Sequence, residues 1–154
     1  RAEGASDPLM FAHPDRLLFA PRLGRVIERL HPPPRCTILG GFLGPGRPTD
    51  PRDLNFADIS DLLPRCRQAT RHGDLRHVAA LARCSAERTL ALRGPCGDPT
   101  ASLAARTGAL GWTIAHTGSA RGLIFASGTV PPDARAALRD AGFTDLVQFE
   151  TGQA

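Results

Sequence analysis

The chain has 154 residues, enough for one domain with a core of its own. Apolar residues make up 42% and charged ones 22%, which argues against global disorder, and no run of about eighteen apolar residues offers a membrane span. All nineteen basic residues are Arg, so a Schiff-base lysine and a lysine phosphate ligand are excluded; the net charge of +4 is scattered among fifteen acids and gives little support to nucleic-acid binding.

The chain opens at Arg1 without an initiator Met and without a charged-then-apolar leader, so a fragment of a longer cytoplasmic protein is expected. Leu17-Leu18-Phe19 and Arg25 to Leu30 flank Pro21-Arg22-Leu23-Gly24 and read as a hairpin. The prolines at 32, 33 and 34 break the chain by withholding N–H donors. Cys36 to Phe42 then reads as a third strand, where the main sheet begins.

Gly44 to Asp53 is too densely punctuated by Gly and Pro to be anything but a loop. Asp58 to Arg71 has helical spacing, with Pro64 in its first turn or at a kink and Gly73 as its stop. Asp74 to Arg93 is the clearest helix: Asp74 is a good N-cap, Leu75, Val78, Ala79, Ala82, Ala86 and Leu90 form a stripe, and Gly94-Pro95 ends it. Its small alanine face suits close approach to a neighbour. His72 and His77 straddle the Gly73 break and so are not expected to share a face as a metal pair. Cys36, Cys66, Cys84 and Cys96 include no C-x-x-C pair; free, mostly buried thiols are expected, and no metal site.

A third helix is expected from Asp98 and Pro99 to Leu110. The stretch Gly111 to Ser127 follows, two apolar runs, Trp112 to Ala115 and Leu123 to Ala126, around the polar turn His116 to Gly122. Gly for positive φ, with Thr, Ser, Arg and His as donors, shapes such a turn to meet something anionic, although most hairpin turns bind nothing. Pro131 or Pro132 opens a last helix that Gly142 stops, and Leu146 to Glu150 alternates as a closing strand. The expected class is α+β: from Cys36 onward the order is β-α-β-β-α-β with the helical block as one crossover, a ferredoxin-like antiparallel sheet covered on one face by helices.

Three segments, Ser6 to Phe11 (SDPLMF), Asp58 to Leu62 (DISDL) and above all Ala109 to Ala126 (ALGWTIAHTGSARGLIFA), resemble the C-terminal half of the GHMP-type small-molecule kinases, most of all the L-threonine kinase branch of cobalamin synthesis and propanediol utilisation. The resemblance implies a single domain over residues 1–154 that is half of a two-domain enzyme, with ATP and Mg²⁺ bound in the complete enzyme, and none expected on this chain alone. It implies that Thr117, Gly118, Ser119, Arg121 and Gly122 lean against the phosphate-binding loop, that His116 faces the substrate, and that Asp7 is the candidate base toward a substrate hydroxyl. Ser119, Ala120 and Arg121 stand where the family has a run of glycines, so Arg121 is expected to supply charge in place of bare backbone. Asp7 has a second reading as a turn residue before Pro8. The partners implied are the missing N-terminal domain and a small hydroxyl substrate, not nucleic acid or membrane. A ferredoxin-like ligand-binding or dimerising regulatory module, with a homodimer at its sheet, is the alternative.

Overall fold

The computed structural model describes residues 8–45, 50, 52–115 and 118–152, with only the backbone of Arg22. Two strands, β1 (Leu17–Ala20) and β2 (Arg25–Arg29), pair antiparallel as a separate hairpin through the turn Pro21–Leu23, which Gly24 closes at φ 57°. Its tip strand is tied back to the body by Glu28, which accepts from Arg67 Nε and Nη2 at 2.9 and 2.7 Å.

The main sheet has four strands in the order β4-β5-β3-β6, every neighbour antiparallel, from β3 (Cys36–Phe42), β4 (Gly111–Ile114), β5 (Ala120–Ala126) and β6 (Thr144–Glu150). With α1 (Leu62–Arg71), α2 (Leu75–Arg93) and α3 (Thr100–Arg106) between β3 and β4, and α4 (Ala134–Asp140) between β5 and β6, this is the ferredoxin-like order read from the sequence. Alternation along the strands sorts the core. Leu39, Leu123 and Trp112 lie abreast across three strands and, with Phe125, meet Ala86 of α2, Leu103 and Ala104 of α3, and Ala134 and Leu138 of α4. Leu39, Trp112, Leu123 and Leu138 are all buried to within 1%.

Local chemistry explains most of the boundaries. Asp74 caps α2 by accepting from the His77 N–H at 3.0 Å. The small stripe of α2 does allow close approach: a Cβ on Gly111 would sit 2.2 Å from the Ala79 carbonyl oxygen. The first helix begins at Leu62 and not at Asp58, because Asp58 spends its carboxylate on the Ser60 N–H in a turn, which leaves Pro64 inside the first helical turn. The third ends at Arg106, short of Leu110, where Gly108 takes φ 69°. Of the four thiols only Cys36 is buried, Cys66 and Cys84 are half-buried in the α1–α2 contact, and Cys96 is exposed; all are free. Burial pushes the Cys66 thiol up.

Two strands differ from expectation in ways that matter below. β5 starts at Ala120, three residues before the apolar run, so Arg121 and Gly122 are strand residues and not turn residues. β6 shows its apolar side to the face opposite Leu39 and Leu123, which α2 covers only at Ile38 and Ile124: Val147 and Phe149 are 54% and 52% exposed, while Leu146 packs on the core. The register slip between Gly40 and Phe42 and the left-handed Asp145 (φ 49°) turn the strand that way. On this edge strand Arg135 of α4 donates to the Leu146 carbonyl at 3.3 Å. No helix among the described residues is long and apolar enough to cross a membrane.

Candidate functional site

The turn between β4 and β5 carries the residues the sequence singled out. Ala115 N–H donates to the Ala120 carbonyl and Gly118 N–H to the Ala115 carbonyl, both at 2.8 Å, and Gly118 takes φ 83°, which a side chain would oppose. From the segment after β3, Leu43 N–H donates to the Ser119 carbonyl at 2.9 Å. The turn is thus held from inside its own hairpin and from the neighbouring strand end.

Arg121 holds it from beneath. Alternation puts Arg121 on the same face as Leu123 and Phe125, toward the core, where its side chain is 2% exposed. An unpaired guanidinium there would be costly, and it is not unpaired. Its Nε and Nη2 donate to Asp98 Oδ2 at 3.0 and 2.5 Å. Its Nη1 donates to the carbonyls of Leu43 (3.2 Å), Ser119 (3.0 Å) and Gly118. Asp98, 4% exposed, uses its other oxygen to accept from the Thr100 N–H at 2.9 Å at the start of α3. Burial raises the Asp98 pKa, but the hydrogen bonds from Thr100, joined by the Arg121 pair, outweigh it and hold the carboxyl below its usual range.

This corrects the expectation that Arg121 supplies charge toward a phosphate: the guanidinium is spent on the protein's own oxygens. Gly122 likewise lies in the sheet opposite Gly40, where a Cβ on Gly40 would sit 2.3 Å from the Arg121 carbonyl oxygen and one on Gly122 3.0 Å from Ile38 Cγ2. These glycines serve close strand approach. Gly118 and Ser119 remain at the turn itself, whereas Thr117, His116 and Asp7 lie outside the described residues. Sequence reasoning read Asp98 only as a helix cap and missed its role here. The available signal was the lone Arg inside an otherwise apolar strand, which demands a carboxylate partner somewhere in the chain.

Elsewhere, an open cleft of about 410 Å³ is lined by His13, Arg16, Phe149 and Gly152, among others, and a second of about 410 Å³ by Pro64, Arg67, Gln68, Arg71 and His72. Neither includes the turn. At the far end of β3 Glu150 accepts from Thr37 and, at 2.7 Å, from Ser127, and these bonds lower its pKa. That network closes β6 onto β3.

No family model and no curated protein matches the sequence. Among solved structures the chain is similar to L. major mevalonate kinase in complex with R-mevalonate, with TM-score 0.61 and 16% identity over 82% of this chain. The match spans 46% of the length of that enzyme. The fold of this chain is therefore shared with about half of a mevalonate kinase.

Proposed function

We propose that the chain is the C-terminal domain of a GHMP-type kinase that transfers the γ-phosphoryl group of ATP to the hydroxyl of L-threonine. The observation that carries this reading is the braced turn of Gly118 and Ser119, placed between β4 and β5 of a fold shared with a mevalonate kinase. In such a reaction the substrate oxygen attacks the γ-phosphorus, ADP leaves, and the hydroxyl proton passes to a carboxylate, the role proposed for Asp7. The turn, with Thr117, supports the phosphate loop of an N-terminal half, and His116 contacts the substrate. ATP and Mg²⁺ are bound mainly by that half, so this chain alone does not turn over ATP.

Thermal-shift titration with ATP–Mg²⁺ and L-threonine, separately and together, tests the division of labour. No shift with ATP on this chain alone is expected. Combining the chain with the ATP-binding half of an L-threonine kinase should restore transfer to L-threonine in preference to mevalonate; transfer to neither, with both halves folded, would sink the reading. The exposed apolar row of Phe42, Val147 and Phe149 favours a second reading, a dimerising regulatory module. A concentration-dependent dimer that binds a small ligand without phosphoryl transfer would select it.

A further inference from the structure

The cleft of about 410 Å³ that includes Phe149 lies where β3 starts and β6 ends, at the opposite end of the sheet from the β4–β5 turn. Both of its walls are tied down. On one, Arg16 N–H donates to the His13 carbonyl at 3.1 Å, and the Arg16 carbonyl accepts from Leu30 N–H at 2.7 Å. His13 takes φ 55°, a left-handed conformation uncommon outside glycine, where the chain turns into Pro14 and Arg16. On the other wall, Thr151 N–H donates to the Cys36 carbonyl at 2.9 Å, and Thr151 Oγ1 accepts from Cys36 N–H at 3.0 Å. The charges in and beside the cleft divide into a spent pair and an unspent one. Glu150 accepts from Thr37 and from Ser127, and these bonds, with a smaller contribution from the Arg35 charge, hold its carboxyl below its usual range. Arg16 Nε, by contrast, is buried and donates to no described group, so neither Asp15 nor Glu150 answers it. A buried donor left without an acceptor is destabilising, the more so when it is charged. Asp15 is exposed at the rim, and Phe149, 52% exposed, adds an apolar surface.

A simple anion would meet two carboxylates here, and a simple cation would leave Arg16 Nε unanswered. A zwitterion satisfies both signs. We propose that this cleft binds a free α-amino acid with an apolar side chain: its α-carboxylate accepts from the Arg16 guanidinium, its α-ammonium donates to Asp15, and its side chain covers Phe149. The volume falls within the range of about 300–1,000 Å³ that small-molecule pockets occupy. None of the lining residues belongs to the β4–β5 turn, so this site does not depend on phosphoryl transfer.

The test is an NMR titration of this chain with L-leucine, N-acetyl-L-leucine, L-leucinamide and glycine, in the wild type, Arg16→Gln and Asp15→Asn. L-Leucine should move the Arg16 Nε–H signal and the amides of Phe149, Thr151 and Gly152 while leaving those of Gly118 and Ser119 in place. Loss of either charge from the ligand, or of Arg16 or Asp15 from the protein, should weaken binding about tenfold. Glycine, which has nothing to lay on Phe149, should also bind about tenfold more weakly. Arg16 Nε serves no described group, so Arg16→Gln should keep the wild-type spectrum away from the cleft. N-Acetyl-L-leucine binding as tightly as L-leucine would show that the ammonium is not read and overturn the proposal. Silence of the cleft signals at about 10 mM L-leucine, enough to reveal a millimolar Kd, would overturn it as well. So would shifts centred on Gly118 and Ser119, which would put the ligand at the turn. Should Arg16→Gln fail to fold, Asp15→Asn, a change at an exposed side chain, carries the same comparison across the ligand series.

Discussion

Asp98 serves two elements with one carboxylate: one oxygen begins α3 and the other neutralises Arg121. Removing it strands a guanidinium that is 2% exposed, so Asp98→Asn should cost about 3–5 kcal/mol in a chemical-denaturation experiment at neutral pH. The pH dependence has a definite sign. Asp98 titrates lower in the folded chain than in the unfolded one, so its contribution is complete above the unfolded value of about 3.9 and fades as pH falls through the depressed folded value. The stability gap between wild type and Asp98→Asn should therefore be flat from about pH 7 to 5 and close below about pH 3.9. A gap that widens on acidification would contradict this account of the pair.

At the scale of elements, the tightest contact is α2 against β4. Gly111→Ala would drive a methyl to 2.2 Å from the Ala79 carbonyl, and should destabilise by about 1–3 kcal/mol or more as helix and strand move apart. Asp74→Ala, which removes only the cap of α2, should cost about 1 kcal/mol by the same denaturation measurement. Much of this was legible from local rules: Asp74 and Gly94 around α2, Gly24 in the first hairpin, and the ferredoxin-like order from Cys36 onward. What local rules hid was set by distant partners. Hydropathy delays β5 to Leu123 because Arg121 looks like a turn residue, and only a carboxylate on another element makes it a core residue. Hydropathy also marks Val147 and Phe149 as core, yet the slip beside Gly40 sends Leu146 inward in their place. The turn was legible in its position between two strands, but the parts of Arg121 and Gly122 in the following strand were not.

For the whole molecule, one face of the sheet is packed by helices, while the other is covered at Ile38 and Ile124 by Leu75, Ala79 and Ala82 of α2 and leaves Phe42, Val147 and Phe149 in solvent. Because these side chains contribute little to the core, Val147→Asp combined with Phe149→Glu should change folding stability by no more than about 0.5 kcal/mol per site. If the face is used for docking, the same pair of changes should abolish self-association in sedimentation velocity, or complex formation with an N-terminal half, while moving the melting temperature by no more than about 4 °C. Arg135 bears on a different hazard. Arg135 occupies the Leu146 carbonyl of an edge strand, and a charged side chain at such a strand opposes strand addition by another chain. Arg135→Ala should leave the monomer folded yet shorten the lag before fibrils scatter light at high concentration.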